Sequence, residues 1–340
     1  MSLRAVVIGG SGQIGGWLLH TLRERGHEAV GTYATVAYPG LTQLDAANLE
    51  AAAAWVREQR PDVVFYPAGF TWVDGCERDP EKAKAANVDQ PLNLARAAAD
   101  SNARFVYFST DYIFDGMHGP YTEASATRPL SVYGQSKLDC EHALAAELGS
   151  QHLTARTAWV FGPEKQGKNF SYQLARALSA GKTLEAPTDQ ISNPSYGPDV
   201  AKAVVLLVEA NHSGLFHVAG PEVMDRVSFA KALAAGFGLD PGLIVGKTTA
   251  ELGQGAPRPL SGGLLSPRLE GIFPGIMAPV ADCLADFKER LRTTEGLAQP
   301  LPVVGRPSPR GIPPRRSPGR AVQWVGARDG PARRDSGRSG

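Results

Sequence analysis

Three glycines near the N-terminus constrain the fold of this chain more than any other feature. Gly9, Gly12 and Gly15 have the spacing G-x-x-G-x-x-G and directly follow a short apolar run at residues 5–8. This spacing provides a tight turn after a strand, close approach of the backbone to a pyrophosphate and close packing of the next helix. The free N–H groups that begin that helix favour bound phosphates. A simple turn is the alternative, but the position at the first strand–helix junction favours dinucleotide binding.

Apolar runs that predict strands alternate with helical patterns through the first half of the chain. The predicted strands span residues 5–8, 27–32, 62–66, 104–108 and 153–160. The predicted helices span residues 15–25, 49–58, 81–100 and 133–148. This alternation predicts an α/β fold, a Rossmann-type doubly wound parallel sheet with helices on both faces.

The alternation becomes less regular after residue 162. Further helices are predicted at residues 170–180, 199–210 and 227–236, and a strand at residues 215–218. We expect these elements to build a smaller C-terminal substrate-binding lobe. The predicted domains are a dinucleotide-binding Rossmann domain at residues 1–165 with a return segment near 196–218, the lobe at 166–295, and a tail at 296–340.

The C-terminal tail differs in composition from the rest of the chain. Residues 301–340 contain seven Pro, seven Gly, nine Arg and two Asp. Such a segment buries too little apolar surface to offset the entropy lost on ordering, so residues 296–340 are predicted to be disordered. The last forty residues carry a charge of +7, and the other 300 sum to −6 within a chain of net charge +1. This mildly acidic body argues against nucleic acid as a partner.

Cysteine content and hydropathy indicate the cellular compartment of the protein. Cys76, Cys140 and Cys283 are far apart and lack metal-ligand spacing, so neither a disulfide framework nor a metal site is expected. Few cysteines are typical of a reducing compartment. The N-terminal apolar run is too short for a signal peptide, and no run approaches the roughly 18 apolar residues of a membrane span. We therefore expect a cytoplasmic protein without a membrane partner.

Tyr133 and Lys137 are four residues apart in a predicted helix and therefore share one face. A tyrosine whose pKa is about 10 exchanges protons poorly at neutral pH. A nearby ammonium stabilises the phenolate and lowers that pKa. The same lysine is also able to bind the ribose hydroxyls of a nicotinamide cofactor. Taken alone, such a pair is usually only a surface pair, so its interpretation depends on other residues.

Ser109 and Thr110 end a predicted buried strand, where open parallel sheets bind ligands. Reduction of a ketone needs a hydride source, a group that polarises the carbonyl and an acid that protonates the alkoxide. The cofactor held by the glycine loop, Thr110 and Tyr133 are expected to supply these in turn. The alternative for Thr110 is a capping or strand-end hydroxyl.

The end of the second strand bears on cofactor preference. Residues 31–35 contain neither an acid for the ribose 2′-OH of NADH nor an arginine for the 2′-phosphate of NADPH. We therefore expect the protein to use both NADPH and NADH. Asp45, after the third strand, is a candidate adenine contact, and a solvated aspartate at a helix start is an equal alternative.

Several longer motifs support one family. They are residues 109–116 (STDYIFDG), 120–123 (PYTE), 129–137 (PLSVYGQSK) and 156–162 (RTAWVFG). From about residue 3 to residue 290 the chain resembles the extended short-chain dehydrogenases/reductases, and within them the dTDP-4-dehydrorhamnose reductase type. The resemblance implies NAD(P)H-dependent reduction of the 4-keto group of a dTDP-4-dehydro-6-deoxy sugar, in the biosynthesis of dTDP-L-rhamnose or a relative. The partner would then be a nucleotide-sugar substrate.

The motifs and the resemblance together predict roles for individual residues. The predicted catalytic residues are Thr110, Tyr133 and Lys137. The predicted cofactor-binding residues are Gly9, Gly12, Gln13, Ile14, Gly15, Asp45, Ala68, Gly69, Tyr133 and Lys137. The predicted substrate-binding residues are Thr110, Tyr112 and Trp159. Core packing is an equal alternative for the last two.

The chain departs from the family pattern in places. Members with a magnesium-bridged dimer carry an acid where this chain has Trp17, so that dimer is not expected, and a homo-oligomer is implied by the family alone. Two alternatives remain: a different nucleotide-sugar ketoreductase or epimerase, or a non-catalytic NADP-binding subunit like the regulatory subunit of methionine adenosyltransferase. The presence of both Tyr133 and Lys137 favours an enzyme.

Overall fold

The computed structural model describes residues 2–293 and 322–323. The strands are β1 (Arg4–Val7), β2 (Glu28–Tyr33), β3 (Leu41–Gln43), β4 (Val63–Tyr66), β5 (Arg104–Thr110), β6 (His152–Thr157), β7 (Val160–Phe161), β8 (Leu184–Pro187), β9 (Ile191–Ser192), β10 (Ser195–Tyr196), β11 (Gly214–His217), β12 (Met224–Asp225), β13 (Ile244–Lys247) and β14 (Val322–Gln323). The helices are α1 (Gln13–Glu24), α2 (Leu49–Gln59), α3 (Val73–Arg78), α4 (Pro80–Lys84), α5 (Gln90–Asp100), α6 (Val132–Leu148), α7 (Phe170–Ser179), α8 (Gly197–Glu209), α9 (Arg226–Phe237), α10 (Thr249–Leu252), α11 (Pro267–Ile272) and α12 (Val280–Thr293).

A seven-stranded parallel sheet organises the molecule, in the order β11-β6-β5-β4-β1-β2-β3. From β1, strands β2 and β3 lie in order towards one edge of the sheet. Strands β4, β5, β6 and β11 lie in order towards the other edge. Such a reversal opens a crevice at the carboxyl ends of the central strands, where ligands bind in folds of this type. The predicted α/β fold with a doubly wound parallel sheet is confirmed.

Both faces of the sheet are covered, which explains why its central strands β1 and β4 have successive buried apolar residues rather than alternate ones. Ala5 and Val7 of β1 pack in one apolar cluster with α1 and α8, whereas Val6 packs in another with α2, α5 and α6. Successive side chains of a strand point to opposite faces, so one short run supplies both layers.

A third apolar cluster lies outside the sheet. It joins α7, α9 and α12, with Phe229 and Phe287 fully buried in it. Leu269 and Met277 also belong to the predicted lobe, but they pack in the same cluster as β1 and α1. The domain boundaries drawn from the sequence therefore stay a prediction.

Two predicted elements differ from the structure. The strand expected at residues 153–160 ends at Thr157, because Trp159 has a left-handed backbone with φ +39°. The helix expected at residues 81–100 is interrupted by a π-helical turn at Ala85–Asp89, which carries the buried Asn87. Hydrophobic periodicity predicts neither the end of the strand at Thr157 nor the π-helical turn.

The predicted disordered tail lies outside the described residues, apart from β14. That two-residue strand pairs in parallel with Leu184–Glu185 of β8, which the tail composition did not predict. Across the described part of the chain, no helix is both long enough and apolar enough to cross a membrane.

Candidate active site

The glycine loop lies tightly between β1 and α1. Gly9 has φ +90°, a conformation that favours glycine, and its N–H donates to Thr32 Oγ1 at 3.1 Å. A Cβ on Gly15 would lie 2.2 Å from the Gly9 carbonyl oxygen. Gly12 is the N-cap residue of α1 and offers no capping side chain. The first N–H groups of α1 therefore face the crevice rather than a side chain of the loop.

The residues around this loop fit a dinucleotide. A Cβ on Gly9 would lie 3.1 Å from the Ala68 Cβ, and one on Gly69 would lie 3.0 Å from the Asn87 side-chain oxygen. The Gln13 side-chain nitrogen is buried and has no hydrogen-bond partner among the described residues. A buried donor without an acceptor is costly, so a bound phosphate or ribose oxygen would satisfy it.

One large cleft opens at the carboxyl ends of the central strands and extends to α7 and α9, with about 1500 Å³ of empty space. The predicted site residues line it, except Gly9, Gly69 and Asp45. The two glycines lie in the backbone next to it. Asp45 is exposed and accepts a hydrogen bond from the Ala47 N–H at 3.0 Å, as expected for a solvated aspartate near a helix start.

The start of α6 positions Tyr133 in the cleft. The Ser131 hydroxyl accepts a hydrogen bond from the Gly134 N–H at 3.1 Å and so caps the helix. A Cβ on Gly134 would lie 2.2 Å from the Tyr112 carbonyl oxygen, so glycine lets the helix pack closely there. The Tyr133 ring meets the Tyr112 ring edge to face, with centroids 5.6 Å apart.

Burial raises the pKa of Tyr133 above its ordinary value. Hydrogen bonding with Thr110 acts in the opposite direction, and the charge of Asp111 raises the pKa further. The phenol is therefore protonated at neutral pH and able to donate. Lys137 is not among the groups that act most strongly on this pKa, so its predicted tuning of Tyr133 stays a prediction.

Lys137 is buried on the same face of α6, with its Nζ 4.0 Å from the centroid of the Tyr107 ring. Burial lowers the pKa of Lys137 to about 8, although Cys140, Glu141 and Cys76 act to raise it. The electron-rich face of an aromatic ring attracts an ammonium and so replaces part of the stabilisation that is lost when water is removed. Lys137 is therefore largely charged at neutral pH and titrates close to it.

Thr110 joins two functions at the end of β5. Its hydroxyl accepts from the Tyr112 N–H at 3.2 Å and donates to Asp111 Oδ1 at 3.2 Å. The Ser192 hydroxyl donates to Asp111 Oδ2 at 2.6 Å. Burial raises the pKa of Asp111, and these hydrogen bonds lower it in part. Thr110 thus caps the turn, as the alternative interpretation expected, and also lines the cleft.

The opposite wall of the cleft carries Arg226, Phe229 and Arg258, which were not predicted as site residues. The Arg226 guanidinium carbon lies 3.5 Å from the centroid of the Trp159 ring, and Phe229 stacks behind that ring. Arg258 donates to Asp74 Oδ2 at 3.0 Å. Arg258 lies in an Arg-Pro motif that could have indicated it, whereas nothing in the sequence around Arg226 did.

Trp17 lies at the position where the family resemblance would place a metal-bridging acid. It is buried, and its indole N–H donates to the Pro163 carbonyl at 2.7 Å. Within the described ranges, no group of three or more His, Cys, Asp and Glu side chains is placed to hold a metal ion.

The parallel sheet, its crevice and the paired Tyr133 and Lys137 define the class of short-chain dehydrogenases/reductases. Residues 3–292 match the family described as the RmlD substrate binding domain. The chain belongs to this family, and the resemblance inferred from its motifs is confirmed.

Individual relatives agree with this assignment. Probable low-salt glycan biosynthesis reductase Agl14 of Haloferax volcanii is 35% identical over 275 residues, which cover 78% of this chain and 91% of that protein. The dTDP-4-dehydrorhamnose reductase of Mycobacterium tuberculosis is 33% identical over 263 residues, which cover 76% and 83%. The structure of dTDP-4-dehydrorhamnose reductase from Bacillus anthracis in complex with NADP is 27% identical, with a TM-score of 0.76, and covers 84% of this chain and 99% of that one.

Proposed function

We propose that this NAD(P)H-dependent oxidoreductase reduces the 4-keto group of a dTDP-4-dehydro-6-deoxy sugar, the class of substrate in the name of its Mycobacterium tuberculosis relative, dTDP-4-dehydrorhamnose reductase. One observation carries the proposal: Thr110, Tyr133 and Lys137 line the same cleft as the glycine loop. The complex of the Bacillus anthracis relative with NADP supports a nicotinamide cofactor.

In the proposed reaction, bound NADPH or NADH supplies the hydride. Tyr133 holds its phenolic proton at neutral pH and donates it to the oxygen of the reduced carbonyl. Thr110 polarises that carbonyl when its hydroxyl turns from Asp111 Oδ1 towards the substrate. The Lys137 ammonium stabilises the phenolate left on Tyr133 and binds the nicotinamide ribose.

Two arginines of the cleft support a nucleotide diphosphate in the substrate. Arg226 and Arg258 are both buried, and a buried guanidinium needs anionic or polar partners. Asp74 provides one for Arg258, and Arg226 lies over the Trp159 ring. A substrate diphosphate would add negative charge beside these guanidinium groups, and Trp159 would pack against the sugar. The proposed sugar ring then lies between Trp159 and Tyr133.

The proposal is tested by mixing the purified protein with NADPH and dTDP-4-dehydro-6-deoxy-L-mannose and following the nicotinamide absorbance. Oxidation that depends on the sugar is expected. Oxidation only with an epimeric 4-keto sugar would favour a different ketoreductase. The name of the Haloferax volcanii relative, a probable glycan biosynthesis reductase, specifies no sugar. Cofactor binding without oxidation of any such sugar would favour a regulatory subunit and contradict the proposal.

A further inference from the structure

A buried carboxylate lies next to the threonine that is proposed to polarise the substrate carbonyl. Asp111 directly follows Thr110 at the end of β5 and is only 4% exposed. The Thr110 hydroxyl donates to Asp111 Oδ1 at 3.2 Å, and the Ser192 hydroxyl donates to Asp111 Oδ2 at 2.6 Å. A hydroxyl has one hydrogen, so the Thr110 hydroxyl donates either to Asp111 or to a substrate carbonyl. Asp111 therefore competes with the substrate for that hydrogen.

The two hydrogen bonds to Asp111 differ in length. Hydrogen bonds between a hydroxyl and an oxygen are usually about 2.5–3.0 Å long, and those to a carboxylate lie at the short end of this range. The 2.6 Å bond from Ser192 is therefore strong, and the 3.2 Å bond from Thr110 is weak. Ser192 thus satisfies most of the demand of the carboxylate, and Thr110 is held loosely.

Loss of the Ser192 hydroxyl would change this balance. Burial raises the pKa of Asp111, and the Ser192 bond, the Thr110 bond and the charge of Arg226 lower it in part. A buried carboxylate that loses a donor is costly unless another donor replaces it. Among the described residues, Thr110 would then be the side-chain hydroxyl left to donate to Asp111. We expect its bond to the carboxylate to become stronger.

The backbone around Ser192 fixes its position. Strand β9, which contains Ser192, pairs antiparallel with β12, and the Ile191 N–H donates to the Leu260 carbonyl at 2.7 Å. Ser192 is 2% exposed. Among the described residues, Thr110 and Asp111 line the cleft and Ser192 does not. Any effect of Ser192 on a bound substrate is therefore transmitted through Asp111.

We propose that Ser192 is a positioning residue for the reduction, because its hydrogen bond to Asp111 leaves the Thr110 hydroxyl loosely held and able to turn to the substrate carbonyl. This inference rests on the proposed function, since the hydroxyl needs a carbonyl to act on. Ser192 lies 81 positions after Asp111, so sequence pattern gives no sign of the contact. The proposal predicts that a change at Ser192 affects the reaction only while residue 110 has its hydroxyl.

A double-mutant cycle with NADPH and the 4-keto sugar of the proposed reaction tests this prediction. Ser192→Ala should lower kcat/KM by about tenfold, mainly through kcat, and leave the dissociation constant for NADPH within about twofold. Thr110→Val alone should lower kcat/KM by about a hundredfold. Adding Ser192→Ala to Thr110→Val should lower it by no more than about a further twofold. Ser192→Thr keeps a hydroxyl and should retain most of the activity.

Ser171→Ala is the matched control. Ser171 is fully buried in α7, and its hydroxyl has no hydrogen-bond partner among the described residues. The substitution therefore removes a buried serine hydroxyl without breaking a hydrogen bond. Its kcat/KM should stay within about twofold of the unmodified protein.

Three results would overturn the inference. An unchanged or raised kcat/KM in Ser192→Ala would show that Asp111 does not compete with the carbonyl for the Thr110 hydroxyl. A further loss of about tenfold when Ser192→Ala is added to Thr110→Val would show that Ser192 acts by a route that does not involve Thr110. Both of these results leave the proposed reductase function intact. An unmodified protein that oxidises NADPH with no such sugar would overturn this inference together with the proposed function.

Discussion

Helix α6 carries two buried charges one turn apart, Lys137 and Glu141, with different surroundings. Glu141 accepts hydrogen bonds from Arg156 at 3.1, 3.1 and 2.6 Å, so its carboxylate is held by one fixed partner on β6. Lys137 lies over the Tyr107 ring and lines the cleft. Equal burial therefore has different consequences. A charge with a fixed ionic partner is part of the fold, which is destabilised when that partner is removed, and a charge that faces a cavity is available for a ligand or a reaction.

The difference extends to the neighbours of each charge. Arg156 also approaches His217 at 3.4 Å and lies over the Phe114 ring, so the pair joins α6 to strands β6 and β11. Around Lys137, by contrast, are the Tyr107 ring and the thiols of Cys76 and Cys140. The first turns of α6 place side chains in the cleft, and the turn that follows places Glu141 in the buried core.

The largest expected effect is on catalysis at the cleft end of α6. Tyr133→Phe removes the proton donor and preserves the ring that packs against Tyr112. We expect kcat to fall by about 10²–10⁴-fold. The dissociation constant for NADPH, measured by fluorescence titration, should stay within about twofold. Loss of both turnover and cofactor binding would show that Tyr133 is structural. It would contradict the distinction between the cleft end and the core end of α6.

The next effect is on stability at the core end of α6. Arg156→Met leaves Glu141 buried without its partner, and the free energy of unfolding should fall by about 3–5 kcal/mol. Arg96→Met is the matched control, because Arg96 makes two 2.7 Å hydrogen bonds to Glu147 on α6 at an exposed position. Its loss should cost about 1 kcal/mol or less. Urea denaturation measures both, and similar losses would contradict the distinction between them.

A smaller effect on catalysis is expected at Thr110. Thr110→Val keeps the shape of the side chain and removes the hydroxyl that would polarise the carbonyl, so kcat/KM should fall by about a hundredfold. Thr154→Val is the control, since Thr154 is also buried in the sheet and its hydroxyl has no partner among the described residues. Steady-state assays of both should separate them. An unchanged kcat/KM in Thr110→Val would leave Thr110 as a cap only.

The smallest effect is a pH dependence. The pKa of Lys137 is lowered to about 8, so the lysine is charged below that pH and loses its charge above it. Because the ammonium stabilises the phenolate, kcat should be constant below about pH 8 and fall by up to about tenfold per unit above it. Burial raises the pKa of Cys76 and of Cys140 to about 12, so these thiols do not titrate in this range.

Lys137→Arg is the variant that tests this assignment, because arginine stays charged throughout the range. Its kcat should be lower, since arginine differs in shape, but the fall above pH 8 should be absent. A profile that falls at the same pH in both proteins would assign the titration to another group.

The sequence predicted the parts of this molecule that depend on local pattern. Strand alternation, the glycine turn and the four-residue spacing of Tyr133 and Lys137 are set by backbone geometry over a few residues. Contacts between distant segments were not predictable in this way. The Gln166 amide reaches the Ser11 carbonyl across 155 positions, and Arg226 lies over the ring of Trp159, whose backbone is left-handed. Periodicity carries no information about such pairs.

Hydride transfer to a sugar ketone in the cleft of Thr110, Tyr133 and Lys137 is the central proposed step. The most direct measurement is a reaction with NADPH deuterated at the transferred position and dTDP-4-dehydro-6-deoxy-L-mannose, followed by mass spectrometry and NMR of the product. A dTDP-6-deoxy sugar with one deuteron, at C4, is the expected result. A product without deuterium, deuterium at another carbon, or an unchanged substrate would contradict the account.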